Sequence, residues 1–346
     1  MAGMADGLPE APPPPPPGPP GPWGQPYWGP PQGYGWQQAP PPGSGRFHSM
    51  SVGELLDATF SLYRRNFLLI AAISAVVQLP YAALQYVLEQ IAGFANLQHQ
   101  LSEIGANSRT ITDAQLHQLQ SLIVPVVIVD SILLAIVLFI VLPLGEAATT
   151  RAVSDRYLDR EATLGSSYGA ALRRLGALIV QSLILIAGFV LLFGLALGLL
   201  LLAAVLFGQG GAVIGIFLFV IPAIGLLFVF YVRTSMAAPA IVLEQLSGWG
   251  GLVRSWRLVK GLSWRIFGIR LLIVLITGII GAVLAGLLGL VGAGLDANGK
   301  LIVQQVVTAF TAVFIGPITY IGVTLLYYDT RIRKEGFDIE MLAQSL

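Results

Sequence analysis

Arg174 and Arg233 are separated by 58 consecutive residues that carry no charged side chain. One membrane-spanning helix needs about 20 predominantly apolar residues, so this stretch is long enough for two helices and a turn. Residues 209–211, Gln-Gly-Gly, mark the turn. A transmembrane β-barrel would instead alternate polar and apolar residues along each strand. The stretch therefore predicts a helical membrane protein.

Four further apolar stretches bring the number of predicted transmembrane helices to six. The chain is 55% hydrophobic and only 11% charged, whereas soluble domains carry about 25% charged residues. We expect an all-α integral membrane protein built from three helical hairpins. Its six spans are predicted at about 67–90, 121–146, 175–207, 212–232, 267–294 and 301–328.

Basic residues are concentrated in the loops on one side of the predicted membrane. Arg109 and Lys300 are the only Lys or Arg residues in the three loops on the other side, and 17 of the 19 fall elsewhere. Loops rich in Lys and Arg normally stay in the cytoplasm. We therefore expect a multi-pass protein of the plasma membrane with both termini in the cytoplasm.

The first 46 residues differ in composition from the rest of the chain. They include the run Pro12–Pro17 and three short segments rich in Gly, Tyr and Trp. Pro and Gly at this density cannot bury enough apolar surface to fold, so 1–46 is predicted to be a disordered cytoplasmic tail and 47–346 the membrane domain. The tail is interpreted as a solvated tether, and the alternative is a docking site for a polyproline-binding protein.

A short amphipathic helix is predicted just before the first span. Ser51 and Glu54 have the spacing of a capping box, and apolar residues from Val52 to Tyr63 recur with a 3.6-residue period. Similar patterns precede the third and fifth spans. They suggest three repeated units, each an interfacial helix plus a hairpin, at about 51–160, 161–247 and 248–346.

Helices of this kind lie at the depth of the lipid headgroups. Their basic side chains can reach anionic phosphates there. We expect seven of them to contact headgroups: Arg64, Arg65, Arg173, Arg174, Arg254, Arg257 and Lys260. Membrane lipids are therefore the first predicted partners of the chain.

Asp130 is an acidic residue roughly 14 Å inside the second predicted span, at 1.5 Å per residue. Ionisable groups within spans are costly and usually face the bundle interior or water. Gln78, Gln85 and Glu89 share one face of the first span at i, i+7 and i+11. The four residues form a candidate intramembrane polar site. It is either a track for an ion or substrate, or a buried carboxyl group held by a glutamine.

Other features of the spans are predicted to serve packing or anchoring. Glu146 and Arg270 lie near the ends of spans two and five, where they could pair with each other or with lipid headgroups. Span five carries small residues at helical spacing, which let helices approach closely. Those residues are Gly278, Ala282, Gly286 and Gly289.

The sequence contains no cysteine and no recognisable catalytic or phosphate-binding motif. Its three histidines, His48, His99 and His117, lie outside the predicted spans. An intramembrane enzyme should show paired acids, or a nucleophile with a base, inside the spans. We therefore expect no enzymatic activity, no cofactor, no metal site and no nucleic-acid partner.

Three groups of residues resemble a known bacterial family. They are SVGELLD at 51–57 with LYRRNF at 62–67, APAIVLE at 238–244 with RSWRLV at 254–259, and LLYYDTRIRKEGFD at 325–338. Together they resemble a large family of six-span membrane proteins, often labelled as similar to the membrane domain of glycerophosphoryl diester phosphodiesterase.

The resemblance covers residues 48–342 and implies a six-span topology in a bacterial plasma membrane. It carries over no catalytic residue, because the chemistry of the full enzymes lies in a separate soluble barrel domain that we do not expect in this chain. The sequence favours a non-enzymatic protein that organises lipids or partner proteins. The alternative is a transporter or channel for a small or lipid-like solute.

Overall fold

The computed structural model describes residues 48–107, 113–292 and 294–336. These residues form helices joined by short turns and contain no β-strand. Six helical segments are long and apolar enough to cross a membrane, which confirms the predicted all-α integral membrane fold. The predictions made for residues 1–46 and for Arg109 concern parts of the chain outside the described residues.

The described residues form twelve α-helical segments, one of which, Leu164–Gly215, leaves the helical conformation at Gly208 (φ 62°, ψ −148°) and therefore contains the turn between spans three and four. The segments are α1 Val52–Arg65, α2 Phe67–Ala92, α3 Phe94–Asn107, α4 Asp113–Ile136, α5 Leu142–Tyr157, α6 Leu164–Gly215, α7 Ile221–Thr234, α8 Ala237–Leu243, α9 Gly248–Val259, α10 Ser263–Gly292, α11 Ala297–Phe314 and α12 Gly316–Glu335. The apolar spans one to six lie within Phe67–Ala92, Leu119–Tyr157, Leu164–Gly208, Val213–Leu243, Ser263–Leu290 and Asn298–Glu335.

Helix α1 begins with the predicted capping box. The Ser51 hydroxyl accepts a hydrogen bond from the backbone amide of Glu54, and the Glu54 carboxylate accepts one from the backbone amide of Ser51. The bond from the Ser51 backbone is the main reason that the pKa of Glu54 lies below its ordinary value. Leu55 and Thr59 are fully buried, and α1 packs against α12.

A separate helix is present before the fifth span, as predicted, but the one predicted before the third span is not a separate helix. Helix α9 has Ser247 as its N-cap, and Gly261 with φ 86° separates it from α10. Helix α6 instead runs without a break from Leu164 into the third span. No residue between Leu164 and Leu175 leaves the helical conformation, so the amphipathic segment forms the first turns of the span.

Most of the buried core lies at one end of the bundle. We call it the basal end; it comprises α1, α8, α9, the last turns of α5, α7 and α12 and the first turns of α6 and α10. Tyr327 is fully buried there among Leu55, Met236 and other apolar side chains. Span six is central: 39% of its most apolar stretch is buried, whereas the buried share of the corresponding stretch is 6% in each of spans three, four and five. The other spans are therefore open to lipid along much of their length.

The second helix of each hairpin is irregular just before a proline. Turns of π-helix occupy Val137–Val141 before Pro143 and Ile216–Val220 before Pro222. Span six breaks between α11 and α12, immediately before Pro317. Proline removes a backbone donor and crowds the preceding turn, which explains the irregularities. Their shared position agrees with the threefold plan.

The small residues of span five do not all pack against another helix. A Cβ atom added at Gly281 would lie 3.4 Å from Thr311, so α10 and α11 approach closely at that point. A Cβ atom at Gly278, Gly286 or Gly289 would meet nothing within 4 Å. Within the described part of this chain, the packing prediction is therefore wrong for these three glycines.

Candidate functional site

The predicted polar site of the spans does not form one group. Asp130 lies on the exposed surface of span two, where it makes no hydrogen bond or ion pair with a described residue. Gln78 is half-buried and also has no such bond. Helix α4 contributes only a narrow stripe of buried residues, including Val126 and Leu133, and Asp130 lies beside that stripe. The interpretation of Asp130 as a buried carboxyl group held by a glutamine is therefore wrong.

Glu89 and Gln85 do meet, at the opposite end of the bundle from the basal end. We call this the distal end; it comprises the last turn of α2, α3 and the first turns of α11. Glu89 is buried, and its two carboxylate oxygens accept hydrogen bonds from the side-chain amides of Gln85 at 2.8 Å and Gln305 at 2.7 Å. Gln305 was missed by sequence reasoning. The cluster ties span one to span six.

The seven basic residues predicted to contact headgroups all lie at the basal end, but two have protein partners. Arg254 forms ion pairs with Glu244 and Glu335. Arg174 donates a hydrogen bond to the side-chain carbonyl of Gln245 at 3.0 Å. The side chains of the other five make no hydrogen bond or ion pair with a described residue, and all five residues are exposed: Arg64, Arg65, Arg173, Arg257 and Lys260.

The ion pairs of Arg254 belong to a network that joins the segments with family resemblance. Glu244 bonds to Arg254 and to the Tyr327 hydroxyl, and lies 3.8 Å from Arg331. Glu335 pairs with both arginines. Partial burial acts to lower the pKa of Arg254, but the bonds and charges of Glu335 and Glu244 outweigh it and raise that pKa above its ordinary value. Two cations face two anions, so the network has no net charge.

A second ionic cluster fixes the start of the described chain to spans five and six. The fully buried carboxylate of Asp329 accepts hydrogen bonds from the Met50 backbone amide at 2.7 Å, from Arg265 at 2.8 Å and from Arg333 at 3.0 Å. Both arginines also donate to the carbonyl oxygen of Met50. Sequence reasoning missed this cluster, because Met50 and Asp329 are far apart in the chain.

The predicted pairing of Glu146 with Arg270 is indirect. The two side chains interact through space, without an ion pair within 4.0 Å. Arg270 instead donates to the carbonyl oxygen of Ser235 at 2.9 Å, and its guanidinium lies 5.1 Å from the ring centre of Tyr231. Arg270 is therefore held by the junction between α7 and α8.

Glu146 lines a cavity between spans two and three. The cavity has a volume of about 330 Å³ and is lined mainly by Leu, Ile and Phe side chains. Gln181 and Ser182 of α6 are its other polar residues. Gln181 is 8% exposed, and its side-chain oxygen has no hydrogen-bond partner in the described part of the chain. Nothing in the sequence marked Gln181, because its burial depends on how spans two and three meet.

In the described residues, no three His, Asp or Glu side chains are grouped so that they could hold a metal ion.

The fold defines a multi-pass α-helical membrane protein whose charged groups are gathered mainly at one end. The chain belongs to the family described as Domain of unknown function (DUF7847), which matches residues 50–329. No curated protein and no solved structure matches the chain.

Proposed function

We propose that the chain is a non-enzymatic protein of a bacterial plasma membrane that gathers anionic lipids around its basal end. The observation that carries the proposal is the set of five exposed cations without protein partners in the described residues. A Lys or Arg near an anionic membrane surface contributes about 1 kcal/mol of attraction. Five such residues around one bundle are enough to bias the composition of the neighbouring lipids.

Exposed tryptophans support a headgroup position for the same end of the bundle. Trp249 is 64% exposed, Trp256 43% and Trp264 77%. Tryptophan concentrates at the membrane–water interface, where its ring is partly buried and its N–H can reach water. Arg233 lies 5.3 Å from the ring centre of Trp256, so a cation and an aromatic anchor meet there. The exposed cations and the exposed tryptophan side chains thus lie at the same end of the bundle.

The distribution of charge also supports a cytoplasmic basal end. Lys300, at the start of α11, is the basic residue of the distal end, and the other described Lys and Arg residues lie at or near the basal end. By the positive-inside rule, this distribution favours a cytoplasmic basal end, and we propose cytoplasmic termini for the same reason. Anionic lipids of the inner leaflet would face the five cations.

Three finer predictions remain proposals beside this one. The resemblance to the membrane domain of glycerophosphoryl diester phosphodiesterase goes further than the family match, which concerns a domain of unknown function. A polyproline-binding partner would use residues outside the described part. The transporter or channel alternative requires a polar path across the membrane. In the described spans, Glu89 and Glu146 lie near opposite ends of the bundle, so such a path would have to join them.

The experiment compares the thermal unfolding of the full chain in lipid nanodiscs with and without an anionic lipid. We expect phosphatidylglycerol to raise the unfolding temperature of wild type above that in pure phosphatidylcholine, because a ligand that binds the folded state stabilises it. High salt should reduce the difference, since it screens exposed charges. A variant with all five cations replaced by Gln should lose most of it.

The matched control is Lys300→Gln, which removes an exposed cation from the distal end. That variant should keep the full difference in unfolding temperature between the two lipid compositions. Equal stabilisation of wild type and the five-Gln variant by phosphatidylglycerol would contradict the proposal, because the cations would then have no part in it.

A further inference from the structure

The cavity between spans two and three is distinct from the five exposed cations, which do not line it. It extends from Glu146 to Leu138 along span two and from Leu178 to Phe189 along span three. These distances are eight and eleven residues, or about 12 and 16 Å along a helix axis. The polar residues lie in the basal half of the cavity and the apolar residues continue toward the membrane centre. This arrangement matches an amphiphile that lies parallel to the spans.

The polar end of the cavity offers hydrogen-bond acceptors that the described residues leave unused. The side-chain oxygen of Gln181 is buried without a donor, and the Glu146 carboxyl group forms no hydrogen bond within the described part of the chain. A buried acceptor without a donor destabilises the folded state by about 1–3 kcal/mol. A ligand that donates hydrogen bonds to both groups would remove that cost.

The charge of the cavity favours an uncharged donor. Of the described residues that line the cavity, Glu146 is the only one whose side chain can carry a charge, and Arg270 acts on it through space from outside the cavity. A cationic headgroup would meet the field of Arg270, and an anionic one would lie against Glu146. A neutral hydroxyl group can donate to Glu146 and meets neither repulsion.

The volume of the cavity limits the apolar part of the ligand. A space of about 330 Å³ is at the lower end of the range for small-molecule sites. One hydrocarbon chain fits this range better than two. We propose that the cavity binds a single-chain amphiphile with an uncharged head that bears hydroxyl groups, which donate to Glu146 and to Gln181 while its chain lies along Leu138 and Phe189.

The test uses two probes, 1-dodecanol and its methyl ether, 1-methoxydodecane, in which a methyl group replaces the hydrogen that the hydroxyl donates. Each is added at increasing mole fraction to the full chain in phosphatidylcholine nanodiscs, and the unfolding temperature is followed. Both probes change the bulk membrane in a similar way, so the difference between them reports the hydroxyl group. We expect dodecanol to raise the unfolding temperature with saturation, and the ether to give no saturable shift.

Two variants locate the binding site. Glu146→Ala removes one acceptor and should weaken the apparent affinity for dodecanol about tenfold, as expected for a lost hydrogen bond. Ser182→Leu fills the cavity from the other helix and should abolish the saturable shift. Asp130→Ala is the matched control, because it removes an exposed acid from the same span outside the cavity.

Several results would overturn the inference. They are an equal saturable shift with the ether, an unchanged dodecanol affinity in both Glu146→Ala and Ser182→Leu, or a larger shift with dodecylammonium than with dodecanol. If one variant fails to fold, the other variant and the comparison of the two probes on wild type still test whether the cavity binds the amphiphile. The variant with five cations replaced by Gln should bind dodecanol normally, so this inference and the proposed function can fail separately.

Discussion

The carboxylate of Asp329 accepts a hydrogen bond from the backbone amide of Met50 at 2.7 Å, across 279 positions of the chain. Arg265 and Arg333 donate both to that carboxylate and to the carbonyl oxygen of Met50. The backbone N–H and C=O groups of Met50 are thus both hydrogen-bonded to charged side chains of spans five and six. Met50 is therefore held firmly against spans five and six.

Replacement of Asp329 by Ala should strongly destabilise the protein. The change leaves two partly buried arginines without their anion, and breaking a buried ion pair on one side costs about 3–5 kcal/mol. The measurement is the free energy of unfolding in detergent with increasing denaturant. The control Asp57→Asn changes an exposed acid of α1 and should stay within about 0.5 kcal/mol of wild type. Equal effects of the two changes would contradict the role given to Asp329.

Glu89 and Gln305 should be energetically coupled. Each single change to Leu leaves a partner without its hydrogen bond, whereas the double change removes the bond between them at once. A double-mutant cycle should give a coupling energy of about 1–2 kcal/mol, the upper range for polar pairs between membrane helices. Gln304 is exposed one position away, so the cycle of Glu89 with Gln304 should give a coupling near zero. Similar couplings in both cycles would refute the contact.

Gly248→Ala should separate α9 from α6. A Cβ atom at Gly248 would lie 2.5 Å from the carbonyl oxygen of Ala177 and 2.9 Å from the backbone nitrogen of Gln181. Overpacking of this kind costs about 1–3 kcal/mol, which should appear as a lower unfolding temperature. At Gly176 the same change meets nothing within 4 Å, and Gly176→Ala should be neutral or slightly stabilising. A stable Gly248→Ala protein would mean that α9 packs differently.

The topology can be tested with compartment-specific reporters. A reporter inserted before Ser51 and one fused after Leu346 should both report the cytoplasm, and reporters after Asn107 and Asn298 should report the outside. The reason is the excess of Lys and Arg at the basal end. Termini on opposite sides would mean an odd number of spans, and would also contradict the three-hairpin plan.

The parts of the fold that depend on local sequence were predictable. The six spans follow from long uncharged stretches, and the capping box of Ser51 and Glu54 follows from residues three positions apart. The irregular second spans also have a local signal, the prolines that kink a helix. Leu142-Pro143, Ile221-Pro222 and Gly316-Pro317 each fall in the second span of a hairpin.

The sites depend on which helices meet, and that information is not local. Glu89 was predicted to belong to an intramembrane polar site. Its partner Gln305 lies on another span, however, and their hydrogen bond depends on the contact between α2 and α11. Asp130 was expected to face the bundle interior or water, because charges in spans usually do, yet α4 packs through other residues. For the same reason Gln181, a single glutamine in a long apolar stretch, gave no sign that it lines a cavity.

The most direct test of lipid gathering at the basal end is the lipid content of discs cut from the native membrane by a polymer. Discs that contain wild type should hold more phosphatidylglycerol and other anionic lipid than the bulk membrane, and discs with the five-Gln variant should approach the bulk composition. Discs with Lys300→Gln should match wild type. The same lipid composition in wild-type discs and in the bulk membrane would contradict the account.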